Sequence, residues 1–189
     1  YEKILENKKY TMLSLNLKTG RKNQIRVQLS DMGNPIVGDK KYGIKRVVFS
    51  TYQAVSGAGK KGIDDLINTS YGFKENKFPH KIYGNCIPHI DTFLENGYTK
   101  EEMKMINETR KILDNKDLDI TATCVRVPVM FSHGVSIDVE LEKEFDIETI
   151  KQEFSEKENI VVCNKIVPSS ILSCKNDKVY VGRIRKHNN

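Results

Sequence analysis

The strict alternation of apolar and polar residues between positions 135 and 141 constrains the fold most. Val135, Ile137, Val139 and Leu141 would all lie on one face of a β-strand, because successive side chains of a strand point to opposite faces. A strand with one apolar face is stable only in a sheet whose apolar face is covered by another layer. The pattern therefore predicts a layered fold that contains at least one sheet.

Other stretches predict the remaining elements of that fold. Further strands are predicted at 46–53, 118–127, 159–163 and 178–184, and helices at 60–71, from Thr99 onward, and at 147–156 after Asp146. Thr99 and Glu102 have the spacing of a capping box, which marks a helix start. We expect an α+β fold, with a mostly antiparallel mixed sheet and helices on one face.

The first residues of the chain predict a separate β-hairpin. Residues 10–17 and 23–29 alternate in polarity, and Gly20 between them can adopt a positive φ in the turn. Because an isolated hairpin is only marginally stable in water, this appendage needs a surface to pack against.

The charge of the chain is distributed unevenly. Residues 1–46 contain 11 Lys and Arg against 4 Asp and Glu, whereas the remainder contains 20 bases and 21 acids. A basic segment joined to a neutral globular part is typical of a nucleic-acid contact, although a lysine-rich solvated surface has the same composition.

The cysteines and the hydropathy bound the class of protein. The four cysteines form no C-x-x-C pair and have no histidine at metal-ligand spacing, so we interpret them as reduced thiols and predict no metal site. There is no apolar run of bilayer length and no charged-then-apolar leader, so we expect a cytoplasmic protein without a membrane span.

A glycine-rich stretch follows the first strand of the larger part. Gly57, Gly59 and Gly62 match the G-x-G-x-x-G pattern of dinucleotide-binding turns. No second strand with a terminal acid follows about 20 residues later, as that motif requires. The pattern therefore favours a turn in which the backbone approaches a ligand or a neighbouring segment.

Two pairs of side chains could carry chemistry. Arg126 near a strand end can bind a carboxylate with two hydrogen bonds, and His133 in the turn beyond can exchange a proton near neutral pH. Glu101 and Lys104 have i, i+3 spacing on the Thr99 helix and can meet on one face. The alternatives are a surface arginine with a loop histidine, and an ordinary solvated ion pair.

Residues 44–189 resemble one family along most of their length. The resemblance rests on six collinear stretches: Ser50 to Gly59, Ile87 to Asp91, Tyr98 to Lys104, Glu108 to Leu113, Cys124 to His133, and Val181 to Lys186. They are similar to the substrate-binding and dimerisation domain of the aspartate-semialdehyde dehydrogenases. That family reduces aspartyl phosphate to aspartate semialdehyde with NADPH, through a cysteine thioester, and forms homodimers.

The resemblance implies roles for particular residues. His133 matches the general acid/base, and Gln53 matches a residue that helps to place the substrate. Arg126 matches the residue that binds the substrate α-carboxylate. The other matched residues are Glu101 for the substrate amino group, Lys104 for phosphate, and Ser56, Gly57 and Gly59 at the edge of the nicotinamide site.

The resemblance also has departures. None of the four cysteines matches the family's nucleophile, which lies upstream of the matched part together with the NADP-binding domain. Because covalent catalysis without its nucleophile loses most of its rate, we expect residues 1–189 alone to be inactive as a dehydrogenase.

Residues 1–43 resemble a different family, the C-terminal motif of RluA-type pseudouridine synthases. The resemblance rests on Thr19-Gly20-Arg21, Gln24-Ile25-Arg26 and the stretch from Gly38 to Gly43. It implies that Arg26 matches the arginine that pairs with the catalytic aspartate of that family, whose own motif lies upstream.

Three hypotheses about function follow. The chain is part of a dehydrogenase, an RNA-binding or RNA-modifying remnant with its basic hairpin as the working part, or a non-enzymatic dimerisation module. Steeply salt-dependent RNA binding would favour the second.

Overall fold

The computed structural model describes residues 2–6, 11–14, 42–74, 77–174 and 176–187. The strands are β1 (Glu2–Glu6), β2 (Thr11–Ser14), β3 (Ile44–Gln53), β4 (Asp119–Arg126), β5 (Gly134–Leu141), β6 (Ile160–Cys163) and β7 (Val179–Gly182). The helices are α1 (Lys60–Ser70), α2 (Lys100–Ile112), α3 (Ile147–Ser155) and the single turn α4 (Ser170–Ser173), with a 3-10 turn at Val55–Ala58. Helices and strands are mixed along the chain, which confirms the α+β class.

The central sheet has three strands in the order β4-β3-β5. β3 pairs with β4 in parallel, from Arg46 opposite Asp119 to Gln53 opposite Arg126. The long connection between these strands carries α1 and α2, and such a crossover returns the chain in the same direction. β5 pairs antiparallel with the other edge of β3. The sheet is mixed as predicted, but the predicted predominance of antiparallel pairing is wrong.

The main core lies between α2 and the central sheet. Ile106 of α2 packs against Val47 of β3 and Ile120 of β4, and all three are buried. Each fully buried aliphatic side chain of this size contributes about 1.5–3 kcal/mol. The start of α2 is fixed by the predicted capping box, in which Thr99 and Glu102 exchange hydrogen bonds.

The apolar face of β5 is not covered by the described residues. Val135, Ile137 and Val139 are 49%, 53% and 40% exposed. Val139 lies opposite the buried Val47, so this stripe belongs to the same sheet face as the core. The alternation correctly predicts the strand, but the helix layer of the described part covers β4 and β3 and leaves this stripe exposed. We call Val135, Ile137 and Val139 the β5 stripe.

A second sheet of two strands, β6 and β7, lies beyond the central one. These strands pair in parallel, and α3 packs on β6. Asp146 caps α3 by accepting a hydrogen bond from the Thr149 amide, as the sequence predicts. The helices are therefore shared between two sheets, and the prediction that they cover one face of one sheet is wrong.

Near the N-terminus, β1 pairs antiparallel with β2. The hairpin predicted from residues 10–17 and 23–29 falls largely on positions 15–41, which lie outside the described residues. All four cysteines are described, and all are free thiols, as predicted. In the described part of the chain, no helix is long and apolar enough to cross a bilayer.

Candidate functional site

The candidate site lies where the parallel strands β3 and β4 end. Gln53 and Arg126 are register partners at the carboxyl ends of these strands, so their side chains lie next to each other. The backbone of Arg126 is fixed in both directions, because its N–H donates to the carbonyl of Ile87 and its carbonyl accepts from the Ile87 N–H (2.8 and 2.9 Å). The backbone of the sheet therefore positions these two predicted residues independently of their side-chain contacts.

Arg126 is a buried cation with a defined orientation. Its side chain is only 6% exposed, and Nη1 donates to the carbonyl oxygen of Ala54 (2.7 Å). The Phe78 ring packs against the guanidinium, 5.7 Å from ring centroid to Cζ. Burial lowers the pKa of Arg126 below its usual value, and the nearby Glu101 carboxylate opposes that effect. An arginine nevertheless stays protonated in proteins, so the site has a fixed positive charge.

His133 and Arg126 are both hydrogen-bonded to the backbone of Ala54. The backbone N–H of Ala54 donates to His133 Nδ1 (3.1 Å). A ring nitrogen that accepts a hydrogen bond has no proton, so the neutral imidazole carries its proton on Nε2. The bond to Ala54 thus selects the tautomer that offers a proton from Nε2.

The turn before His133 is held by a distant segment. Ser132 has a φ of 68°, in the left-handed region that is unfavourable for residues with a Cβ. Its hydroxyl is hydrogen-bonded to the hydroxyl of Ser173 in α4. This contact stabilises the conformation in which β5 begins and His133 turns toward Ala54.

The glycine-rich turn lies against both functional side chains. A Cβ on Gly57 would be 3.1 Å from Arg126 Nη1 and 3.2 Å from His133 Nε2. The turn is held by two hydrogen bonds, from the Val55 amide to the Val129 carbonyl and from the Ser56 amide to the Met130 carbonyl. Gly59 has a φ of 73° and open space around it, and α1 follows directly. The geometry agrees with the interpretation of this stretch as a turn that admits close neighbours.

Glu101 and Lys104 lie in the first turns of α2 and meet as their spacing predicts. Lys104 Nζ is 3.6 Å from a carboxylate oxygen of Glu101, and Gln53 Nε2 donates to the other oxygen (3.4 Å). The contact with Gln53 brings this pair to the end of β3, next to Arg126. The site therefore contains a carboxylate, a lysine and a buried arginine.

Glu102 has a structural role that the sequence analysis identified only in part. Its side chain is buried and accepts hydrogen bonds from the amides of Thr99 (2.8 Å) and Cys124 (2.9 Å). The capping box indicates the first bond, but the second depends on how α2 packs on β4 and has no local signal. Glu102 thus joins the start of α2 to the strand that carries Arg126.

The cysteine next to this site is completely buried. Burial is the largest of the effects that raise the pKa of Cys124, and the carboxylates of Glu102 and Glu101 raise it further. The reactive form of a cysteine is the thiolate, so both the burial and the direction of the pKa shift disfavour a nucleophilic role. Its position on the core face of β4 indicates a packing role.

Two further residues complete the account of the sequence. Arg26 lies outside the described residues, so its predicted role and the resemblance of residues 1–43 stay predictions. The ring of His89 stacks on Phe93, with centroids 4.5 Å apart, so it has a packing contact. The contact of Phe78 with Arg126 was missed, because the loop that carries it has no periodic pattern.

Comparison with known proteins identifies the family. Residues 34–189 match the family described as "Semialdehyde dehydrogenase, dimerisation domain". The chain belongs to the semialdehyde dehydrogenase dimerisation-domain family. The site described above is therefore a feature of that domain.

Curated relatives and solved structures agree with this assignment. The chain is 48% identical to the aspartate-semialdehyde dehydrogenase of Aquifex aeolicus over 157 residues, which cover 77% of this chain and 46% of the relative. It is 38% identical to that of Bacillus subtilis over 165 residues, 78% of this chain and 48% of the relative. The chain spans about half the length of the curated relatives it matches.

The fold of the dimerisation domain is also found in solved structures. The aspartate semialdehyde dehydrogenase II of Vibrio cholerae, complexed with ASA, superposes with a TM-score of 0.74 and 39% identity. The match covers 78% of this chain and 46% of that one. This likeness supports the α+β fold.

Proposed function

We propose that this chain supplies the substrate-binding side of an aspartate-semialdehyde dehydrogenase, which reduces aspartyl phosphate to aspartate semialdehyde. One observation carries the proposal: the buried Arg126 and His133 are hydrogen-bonded to the two backbone groups of Ala54. A fixed cation and an oriented hydrogen-bond donor are thus held at one place.

Arg126 and Glu101 would bind the amino-acid end of the substrate. Nη1 of Arg126 is used by Ala54, and the other guanidinium donors can pair with a carboxylate. The Glu101 carboxylate complements an ammonium group, and Gln53 holds its orientation. These opposite charges select a zwitterionic α-amino acid over a simple acid.

Lys104 and His133 would serve the reacting end. Lys104 is more than half exposed and carries a mobile positive charge suited to phosphate. His133 would donate a hydrogen bond from Nε2 to the reacting group, since Ala54 keeps Nδ1 as an acceptor. Gly57 leaves room beside Nε2 for the reacting group.

The turn formed by Ser56, Gly57 and Gly59 would border the nicotinamide of NADP. The residues fit this role, because the space around Gly59 is open and Gly57 has no side chain to block access to His133. NADPH supplies the hydride of the proposed reaction. The protein residues described here would position the substrate for it.

We further propose that two copies of the chain associate as a homodimer. The matched family is described as a dimerisation domain, and the β5 stripe leaves three aliphatic side chains exposed side by side. Burial of such a stripe against a second copy would supply a hydrophobic interface.

A pair of ligands tests the substrate proposal. Aspartate β-semialdehyde and succinate semialdehyde differ by the α-amino group, so NMR titration of the 189-residue chain measures how strongly that group is selected. We expect aspartate β-semialdehyde to bind more tightly to the wild type and the preference to disappear in Glu101→Gln. Equal binding of the two ligands to the wild type would contradict the proposal.

An activity assay tests whether residues 1–189 alone have dehydrogenase activity. In the resemblance, the nucleophilic cysteine lies outside the matched part, and Cys124 is buried as a thiol. We therefore expect residues 1–189 alone to oxidise no NADPH with aspartyl phosphate. Measurable oxidation would contradict this expectation.

A further inference from the structure

We propose that Phe78 is a positioning residue for the substrate-binding Arg126 and that Asp65 of α1 holds it in place. The inference rests on the proposed function, because it assigns to Phe78 a role in carboxylate binding by Arg126. It concerns a loop residue that makes no direct contact with the reacting atoms.

Asp65 anchors the loop from Lys77 to Tyr83, which carries Phe78. Its side chain is 1% exposed and accepts hydrogen bonds from the amides of Lys77 (3.2 Å) and Phe78 (3.1 Å). A carboxylate buried on a helix is costly unless its oxygens are paired, and pairing with these amides fixes the loop backbone. The position of the Phe78 backbone is therefore set by α1.

A second buried polar residue of α1 holds the far end of the same loop. The hydroxyl of Thr69 donates to the carbonyl of Asp65 (2.7 Å) and accepts from the amide of Tyr83 (3.4 Å). Thr69 is fully buried, as is Ile82 of the loop. The loop is thus fastened to α1 at both ends, which limits the positions that the Phe78 ring can adopt.

The Phe78 ring contacts a hydrophobic cluster, Gly62 and Arg126. It packs on the small cluster that contains Val55 and Ile82, and its tip lies against Gly62, where a Cβ would be 3.2 Å from Phe78 Cζ. Arg126 Cζ lies 5.7 Å from the ring centroid on the remaining side. Gly62, which completes the glycine pattern of the sequence, therefore accommodates both the Val55 carbonyl, which a Cβ would overlap, and the Phe78 ring.

The contact orients the guanidinium for its ligand. A cation next to an aromatic ring is attracted to it, and the ring excludes water from that side of Arg126. Ala54 binds Nη1, so ring and carbonyl together fix the plane of the guanidinium. An arginine with a fixed plane loses less conformational entropy when a carboxylate binds with two hydrogen bonds.

Two substitutions at Phe78 test the inference. Phe78→Leu and Phe78→Met both keep an apolar side chain but remove the ring. We expect both variants to bind aspartate β-semialdehyde roughly threefold to tenfold more weakly than the wild type. The NMR signal of the Arg126 Nε–H should shift in Phe78→Leu, because the ring current acting on it is lost.

The control is Phe73→Leu, which removes an exposed ring before the loop and should change neither affinity nor the Arg126 signal. Wild-type affinity in Phe78→Leu, with binding still abolished by Arg126→Lys, would overturn this inference and leave the proposed function intact. If Arg126→Lys also binds like the wild type, both proposals fail. Wild-type affinity in Phe78→Met, with weaker binding only in Phe78→Leu, would show that Phe78 has only a packing role and would overturn the inference.

Discussion

Arg126 and His133 are hydrogen-bonded to the two backbone groups of a single residue, Ala54. The carbonyl of Ala54 accepts from Arg126, and its N–H donates to His133. Ala54 is completely buried and follows β3 directly, so it moves only with the central sheet. The distance between the proposed carboxylate-binding group and His133 is thereby set by backbone geometry.

Gly57 should be intolerant of a side chain. A Cβ there lies 3.1–3.2 Å from both Arg126 and His133, which is closer than ordinary van der Waals contact. We expect Gly57→Ala to weaken binding of aspartate β-semialdehyde by roughly fivefold or more, because a displaced binding group loses its alignment. Gly134→Ala is the matched control, since its Cβ would meet only Tyr52 at 3.7 Å. Equal effects of the two substitutions on affinity would contradict the account.

Substitutions of the adjacent Glu101 and Glu102 of α2 should change different properties, ligand binding for Glu101 and stability for Glu102. Glu102 is buried between the amides of Thr99 and Cys124, so Glu102→Gln presents an amide donor to at least one N–H. We expect a loss of about 1–3 kcal/mol in the free energy of unfolding, measured by urea denaturation. Glu101→Gln should leave stability nearly unchanged and weaken ligand binding. A large stability loss in Glu101→Gln would show that its contacts are structural.

The Asp146 cap should make stability depend on pH. Hydrogen bonds from Thr149 lower the pKa of Asp146 in the folded state below its ordinary value of 3.8. The cap therefore stabilises the fold above that pH, and its contribution is lost as the pH falls through the lowered value. Urea denaturation of wild type and Asp146→Ala should give a difference at pH 7 that shrinks at pH 3. Asp146→Asn, which caps without titrating, should differ from Asp146→Ala equally at both values.

The β5 stripe should be part of the contact between two copies. Ile137 is at its centre and is 53% exposed. We expect Ile137→Lys to convert a homodimer into a monomer in light scattering, because burial of an unpaired charge in an apolar interface is unfavourable. Lys111→Glu, a charge change on the exposed part of α2, serves as the control. A wild-type chain that is monomeric at high concentration would contradict the proposal.

The elements of the fold were largely predictable because their signals are local. Capping residues such as Thr99 and Asp146 mark helix starts, and alternation marks β5. The pairing of strands has no such signal: Arg46 meets Asp119 across a crossover of more than one helix, and only the assembled sheet shows that this pair is parallel.

The site was predictable only as separate residues. Resemblance pointed to Arg126, Glu101 and His133, and the structure brings all three to the end of β3. The roles of Ala54 and Phe78 could not be predicted, because an alanine backbone and a loop phenylalanine carry no chemical pattern in sequence. Contacts of this kind arise from packing between segments that are far apart in the chain.

Titration of the 189-residue chain with aspartate β-semialdehyde, in wild type and Arg126→Lys, tests the central claim most directly. A lysine cannot reproduce the planar, two-bond contact of an arginine with a carboxylate, and loss of a charged hydrogen bond costs about 1.5–3 kcal/mol. We predict that Arg126→Lys binds roughly tenfold to a hundredfold more weakly, while the exposed control Arg46→Lys binds like the wild type. Wild-type affinity in Arg126→Lys, with the fold intact, would contradict the claim that Arg126 holds the substrate carboxylate.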